Sequence, residues 1–426
     1  MQESIKKRIE AVRRGAVPEG YNTDRAMLFP KEWGEPVALN TVLLENKDRN
    51  EDLRFGKDDV LSVSGERGIV NQIDLLGRSY AGESVAPYHI VETSDVVYTK
   101  SPLKQNPYGI IKQNRGKPGI VSTLYAVYHC NSPITGQYLE NYFCIDTFLN
   151  NYLKPLVKRG AKNDMKVNNE EVLLGRIPMP PIEEQRKINS LIAQFDRIID
   201  LKQKLIEEKR RQKQWLMQKL LDPNSGVRLL GFENSIWKKI VIGEECEMFS
   251  GGTPKAGKDE YYIEGTIPFI RSGEIAGDKT ELFLTDAGYN SSSAKMVQVG
   301  DILYALYGAN SGECSISKIN GAINQAILCV RPKCIERKML YYLLYANKQR
   351  IVATYLQGGQ GNLSADIIKK LVVELPEDKE HQRKIVEIMQ AADNDITCYE
   401  AELKAWQQKK KALMQLLLTG LVRVNA

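Results

Sequence analysis

The chain contains three histidines, His89, His129 and His381, and seven cysteines with no Cys-x-x-Cys pair among them. Structural zinc sites built on closely spaced Cys and His are therefore excluded, and no metal ligand is assigned. The odd cysteine count argues against a disulfide framework and for reduced thiols in an intracellular compartment. No apolar run approaches the roughly 20 residues of a membrane span, and the opening MQESIKKRIE lacks a signal peptide's apolar core. A cytoplasmic protein without membrane contact is the expectation. Excess charge is also scarce: 59 Lys and Arg stand against 53 Asp and Glu, a formal +6. That balance permits a polyanionic partner without the bulk basicity of a histone.

Catalytic motifs are missing as well. There is no HExxH and no GxSxG. Gly252 to Lys258, GTPKAGK, has the spacing of a phosphate-binding loop, but Asp259 stands where a magnesium-binding hydroxyl belongs. The following DEYYIEGTIPFI does not open a helix whose dipole would hold phosphate. Asn106-Pro107-Tyr108 falls one proline short of the Asn-Pro-Pro-Tyr of adenine methyltransferases, and no glycine-rich methionine-cofactor loop precedes it. No catalytic residue is assigned, and the chain itself is expected to bind no cofactor.

What is present is a repeat, and proline and glycine mark it by their absence. Gln185 to Leu221 and Gln382 to Leu418 align without a gap, from QRKI at the start to Leu-Met-Gln-x-Leu-Leu at the end. They share Asp196 with Asp393 and Ile199 with Ile396, and neither contains Pro or Gly before Pro223 and Gly420. Apolar residues recur at spacings of three and four, interrupted by Lys410, so both segments are predicted helices of about 37 residues and roughly 55 Å. A rod of that length with one apolar stripe needs a partner, and the other copy is the obvious one. Its interface would comprise Ile188, Leu191, Phe195, Ile199, Ile206, Leu216 and Leu220 against Ile385, Ile388, Ile396, Leu403, Trp406, Leu413 and Leu417.

Between the helices lie strand-rich segments, with runs such as DVVYTK, GIVSTLYAVYHC, DILYALYG and AILCVRP. A Trp opens each half, at Trp33 and Trp237, and a proline-bearing strand leads into each long helix. The predicted fold is α+β with a pseudo-two-fold internal repeat. Its parts are a helical segment at 1–17, a first globular domain at 18–181, a central helix at 182–224, a second globular domain at 225–376 and a final helix at 377–426.

From Val96 to Leu139 there is no Asp or Glu, while Lys100, Lys104, Lys112, Arg115 and Lys117 are interleaved with Gln105, Asn106, Gln113 and Asn114. Cations neutralise phosphate, and Asn, Gln and Arg offer paired hydrogen bonds to base edges, so this is the first candidate DNA-reading set. The second half offers Thr253, Lys255 and Lys258 in a Gly-rich turn, then Arg271 and Ser272 after a strand, and Gln357, Gln360 and Asn362 in a glycine-punctuated loop. The helices match well and the globular segments match only in framework. A device doing one mechanical job on two different targets has that pattern.

IPMPPIEEQRKI and LPEDKEHQRKI, the helix ends WLMQKLL and ALMQLLL, FSGGTPKAGKDEYY with IPFIRSGEI, and GGQGNLSADIIKKLVVELP together resemble the specificity subunit of type I restriction-modification systems. The resemblance covers essentially the whole chain, although RGAKNDMKVNNEEVLLGRIP departs from the Gly-rich, Asn-Leu-Ser form. It implies a non-catalytic DNA reader with two target recognition domains, joined and separated by two long antiparallel helices. The implied target is a bipartite double-stranded site, each domain reading one half in the major groove while the helix pair sets the spacer. The implied partners are two adenine methyltransferase subunits and restriction translocase subunits, which would hold S-adenosylmethionine, ATP and magnesium. Glu183, Glu184, Lys209 to Arg211 and Lys409 to Lys411 are candidates for docking the methyltransferases. Two other classes stay open at this point: a methyltransferase or nuclease with its own active site, and a two-headed β-rich structural or carbohydrate-binding protein.

Overall fold

The computed structural model describes residues 3–24, 27–101, 103, 105–131, 133–159, 165–255, 257–356 and 362–424. The chain divides into two compact units, Met1–Lys202 with Glu402–Ala426, and Gln203–Ala401.

In the first unit the strands are β1 (Val37–Ala38), β2 (Leu43–Glu45), β3 (Leu61–Ser64), β4 (Gly68–Asn71), β5 (His89–Val91), β6 (Val96–Thr99), β7 (Ile110–Gln113), β8 (Gly119–Val121), β9 (Tyr125–Cys130) and β10 (Arg176–Ile177). A hairpin, Tyr21–Asp24 with Met27–Pro30, precedes them, and a two-residue strand pair lies between β9 and β10. The main sheet has the order β2-β9-β6-β7. β3 pairs with β4, β5 with β8, β1 with β10, and Val60 bridges Ile120 in parallel.

The second unit repeats this plan strand for strand. β11 (Trp237–Val241), β12 (Cys246–Ser250), β13 (Ile267–Ile270), β14 (Leu282–Leu284), β15 (Lys295–Val297), β16 (Ile302–Ala305), β17 (Cys314–Ile316), β18 (Gly321–Ile323), β19 (Ile327–Pro332) and β20 (Val372–Pro376) occupy the same places in order. Its main sheet runs β12-β19-β16-β17, and its second sheet β14-β13-β18-β15 contains one parallel pair, β13 with β18. β11 pairs with β20 as β1 does with β10. A four-residue helix leads to the exit strand in the first unit and a five-residue one in the second, capped by Asn168 and Ser364, whose side chains accept from Glu170 N and Ile367 N. The first half thus departs from the Asn-Leu-Ser form in sequence but keeps its capping role, since either side chain satisfies an otherwise unpaired helix N–H.

The two long helices are Ile182–Leu220 and Lys379–Leu418. In the first unit, Ile188 and Ile192 share a core with Met414, Leu417 and Leu418, and Leu191 and Leu413 pack on its margin. Phe195 faces Trp406 at 5.4 Å between ring centroids, and Ile199 and Leu403 are half-buried. In the second unit, Met217 and Leu220 share a core with Ile385, Val386 and Met389, flanked by Leu216 and Ile388; Ile206 is buried and Ile396 half-buried. Each such buried aliphatic contributes roughly 1.5–3 kcal/mol, enough to hold a helix end to its sheet without help from propensity.

Charges fix the register inside each unit. Lys410, which interrupts the apolar stripe, pairs with Asp196, and Lys213, at the matching position of the other helix, pairs with Asp393 at 2.5 Å. Lys202 with Glu402 in one unit, and Lys209 with Asp395 in the other, confirm antiparallel pairing, because partner numbers fall as helix numbers rise. Asp393 also accepts from the Tyr342 hydroxyl at 2.7 Å.

The repeated QRKI motif has a backbone explanation. Gln185 is fully buried; its amide donates to Pro180 O and Pro133 O and its oxygen accepts from Thr135 N. Gln382 likewise donates to Pro376 O at 2.7 Å. Each Gln ties its helix to the proline-bearing strand before it, whose carbonyls would otherwise be buried without donors.

One position is strained in one copy only. Ahead of β6, Ser94 adopts φ 77° while its counterpart ahead of β16, Gly300, adopts 94°; their N–H groups make matching bonds to Asn114 O and Ser317 O, both 2.8 Å. A Cβ at such φ is costly and glycine relieves it, so Ser94→Gly is expected to stabilise the first unit by about 1 kcal/mol. Slower hydrogen exchange at Val96 to Tyr98 is the readout, and unchanged or faster exchange rejects it.

Candidate nucleic-acid interface

The acid-free stretch owes much of its composition to burial, since it supplies three of the four strands in and beside the first main sheet's centre. Lys112 lies on β7 at 7% exposure, its ammonium 3.2 Å from the Cys144 sulfur. Asn114 is 1% exposed; its amide donates to Glu92 O and Lys117 O, and its oxygen accepts from Gly116 N. Its counterpart Ser317 closes the same turn by donating to Ile319 O. These two side chains, expected to read DNA, are turned inward and committed to the fold. Gln113 is half-buried, and Lys100 is partly buried, which pulls its pKa down.

Gln105, Arg115 and Lys117 remain exposed. The Arg115 guanidinium donates to Glu140 at 2.8 Å, so part of its charge is neutralised by an acid just past the stretch. Asn106 donates to Asp146 at 3.0 Å. Lys104, Gln357 and Gln360 lie outside the described residues.

In the second unit the expected residues converge. Thr253, Lys258 and Arg271 line one cleft of about 400 Å3 together with Tyr262, Phe269 and Asn324. Lys255 is exposed on the same loop, Ser272 is half-buried beside Arg271, and Asn362 is exposed elsewhere. Lys258 donates to the Tyr261 hydroxyl at 3.2 Å and to Glu260 at 3.3 Å, and those bonds raise its pKa. Arg271 is braced by Glu274 through two 3.1 Å bonds and by Glu281 at 2.6 Å. That brace holds the Glu274 carboxyl down at about 2, so Glu274 stays ionised at neutral pH.

The Gly-Gly of the loop has a packing cause. A Cβ on Gly251 would sit 1.8 Å from Ile323 O, and one on Gly252 would sit 1.9 Å from the Ser293 hydroxyl. Only glycine lets the loop close against β18. The segment after Lys258 forms a single 3-10 turn, Asp259–Tyr261, so the GxxxxGK spacing here makes no helix-borne phosphate cradle.

Two features escaped sequence reading. The corner between β18 and β19 brings Gln325 to Thr253, whose hydroxyl donates to Gln325 Oε1 at 2.7 Å. Asp95, ahead of β6, accepts Glu92 N and faces His129 Nδ1 at 2.5 Å; Asp301, ahead of β16, accepts Gln298 N and holds Arg331 in a two-pronged pair at 2.9 and 2.7 Å. Both acids are buried and brace the same strand pair, with His in one copy and Arg in the other. Neither pair shows a sequence pattern, because its partners are about 30 residues apart.

A family model described as the type I restriction modification DNA specificity domain matches residues 93–209 and 234–405. Over 292 residues the chain is 28% identical to a putative type I restriction enzyme MjaX specificity subunit of Methanocaldococcus jannaschii, covering 65% of each chain. Over 273 residues it is 27% identical to the MjaVIII specificity subunit of the same organism, covering 59% of this chain and 63% of that one. The match therefore spans a little under two thirds of these relatives. Among solved structures, a chain from a study of complex assembly and conformational transition of the type I R-M system superposes with TM-score 0.60 at 18% identity, covering 96% of this chain and 99% of its own. The type I S subunit from M. genitalium gives TM-score 0.54 at 14% identity, covering 90% and 95%.

Proposed function

The chain belongs to the type I restriction modification DNA specificity family, and from that premise we propose that it is the sequence-reading subunit of such a complex, each strand-rich domain reading one half of a bipartite DNA site. The observation that carries this reading is the repeat: one strand topology built twice, with equivalent framework bonds and different exposed side chains. Reading two unlike half-sites needs that combination, since base contacts specify while the framework positions. Catalysis then falls to partners, two methyltransferase subunits with S-adenosylmethionine and restriction subunits with ATP and magnesium. Among the described residues no helix is long and apolar enough to cross a membrane.

The long helices that join the domains are proposed to set the DNA between the half-sites, about one duplex turn or ~34 Å in comparable two-domain readers. Of the charges expected to dock partners, Glu184 is buried against Arg423 and Lys410 is paired with Asp196, so neither is available; the outward charges, among them Glu183 and Lys409, are proposed to meet the methyltransferases.

The test is methylome mapping in cells expressing this chain with the methyltransferase subunits of its own locus. The expected result is one bipartite motif. Four residues inserted into each helix between the Asp196–Lys410 and Lys213–Asp393 pairs should lengthen its spacer, because one turn adds about 6 Å. A contiguous motif, or no motif, overturns the assignment.

A further inference from the structure

The internal repeat separates framework from reading residues, because a side chain that makes the same bond in both copies holds the fold. Asp95 and Asp301 satisfy that criterion, and Asn114 and Ser317 come near it, each donating to a carbonyl further along the same turn, Lys117 O and Ile319 O. At the corner between β8 and β9, Ser122 Oγ accepts from Leu124 N; at the equivalent corner between β18 and β19, Asn324 Oδ1 accepts from Ala326 N. These residues shape the corner alike.

The next residue breaks the equivalence. It is Thr123 in the first copy and Gln325 in the second, both exposed. Gln325 does not hang freely. Its oxygen accepts from the Thr253 hydroxyl at 2.7 Å, and Thr253 follows the two glycines that press their loop against Ile323 and Ser293. Gly251 N also donates to Asn324 O, the corner itself, at 3.3 Å. The amide is thus held by one bond from a loop that is itself packed against the corner. Its Nε2 has no partner among the described residues, and its oxygen keeps a second lone pair. Beside it opens the cleft lined by Lys258, Arg271 and Tyr262.

An exposed primary amide with both N–H donors and one acceptor lone pair free matches the N7 and N6 edge of adenine in the major groove, and no other base offers that acceptor and donor pair there. The Thr253 bond biases the side chain towards one rotamer in advance and so reduces the entropy that a free surface glutamine would lose on binding. We propose that Gln325, positioned by Thr253, reads an adenine in the half-site of the second domain. This rests on the chain being a two-domain DNA reader, and it predicts that the first domain, with Thr123 and Leu124 at the same corner, does not read its half-site this way.

The experiment selects bound sites from a randomised duplex pool, using the full chain with its methyltransferase subunits. Gln325→Ala should relax one adenine of the second half-site, with discrimination falling on the order of ten- to a hundred-fold, while the first half-site and spacer stay as in wild type. Thr253→Val should give a smaller loss at the same base. Gln325→Glu, which keeps the shape but only accepts, should shift that base towards cytosine, whose N4 donates. An unchanged second half-site in Gln325→Ala overturns the assignment, and so does equal relaxation at both half-sites. If wild type selects no bipartite site, it is the proposed function that fails.

Discussion

Arg423→Ala should destabilise the first unit by about 3–5 kcal/mol, the loss typical when one member of a buried ion pair is removed. The pair joins the far end of the chain to the start of the first long helix. Arg423 Nε and Nη2 donate to the two carboxylate oxygens of Glu184 at 2.7 and 2.9 Å, and the Glu184 side chain is 3% exposed. Trp33 donates its indole N–H to the same carboxylate at 3.0 Å, and the guanidinium lies 5.7 Å from the Trp33 ring centre. Without the arginine, a buried charge keeps one neutral donor. Its contact with Glu32, at 2.6 Å, adds little because Glu32 is exposed and screened. The double change Arg423→Ala with Glu184→Gln should recover a large part of the loss, since no charge is then left buried. Hydrogen exchange in the Tyr21–Asp24 strand, whose Tyr21 hydroxyl donates to Gly420 O at 2.6 Å, reports the effect locally. Wild-type protection in the single variant would show that the pair is not what secures this end.

The repeat and the paired long helices were legible because periodicity and ungapped self-similarity are local signals. Their charge register was half legible: Asp196 and Asp393 stood out as shared residues, and Lys410 as a break in the stripe, but only antiparallel pairing joins them. The strand-for-strand repeat of the globular domains was not legible. Equivalent strands tolerate different apolar side chains, and the capping exchange of Asn168 for Ser364 keeps the chemistry while losing the letter. The candidate site divides in the same way. Thr253 and Lys258 could be singled out because one Gly-rich loop holds both, and Arg271 because it follows an apolar strand, whereas Gln325 gave no signal because it reaches Thr253 from 72 residues away. Lys112 and Asn114 misled for a specific reason. A central sheet excludes acids as effectively as a phosphate-binding surface does, so an acid-free run alone does not distinguish the two.

Acidification should loosen the first unit through His89, by about 3 kcal/mol between pH 6.5 and 4. His89 lies on β5 at 3% exposure, and its Nδ1 has no hydrogen-bond partner. Burial, then the nearby charges of Arg49 and Lys100, push its pKa down to about 4. The sign follows from proton counts. Between the two values the unfolded chain binds a proton that the folded chain refuses, so stability rises with pH there and is complete above the unfolded value. Asp95, whose pKa is raised chiefly by burial, acts in the opposite sense, and His381 in the second unit, also lowered by burial, acts in the same sense as His89. The decisive quantity is therefore a difference. His89→Leu should flatten the acid dependence of exchange protection in β5 and β8 by about 1.4 kcal/mol per pH unit relative to wild type, and leave the second unit's profile unchanged. Parallel acid profiles for the two proteins would rule His89 out as the group that titrates. The second unit carries Lys295 at the register position of His89, with its ammonium 5.4 Å from the Phe249 ring centre. The acid loosening that His89→Leu removes should therefore be confined to the first unit.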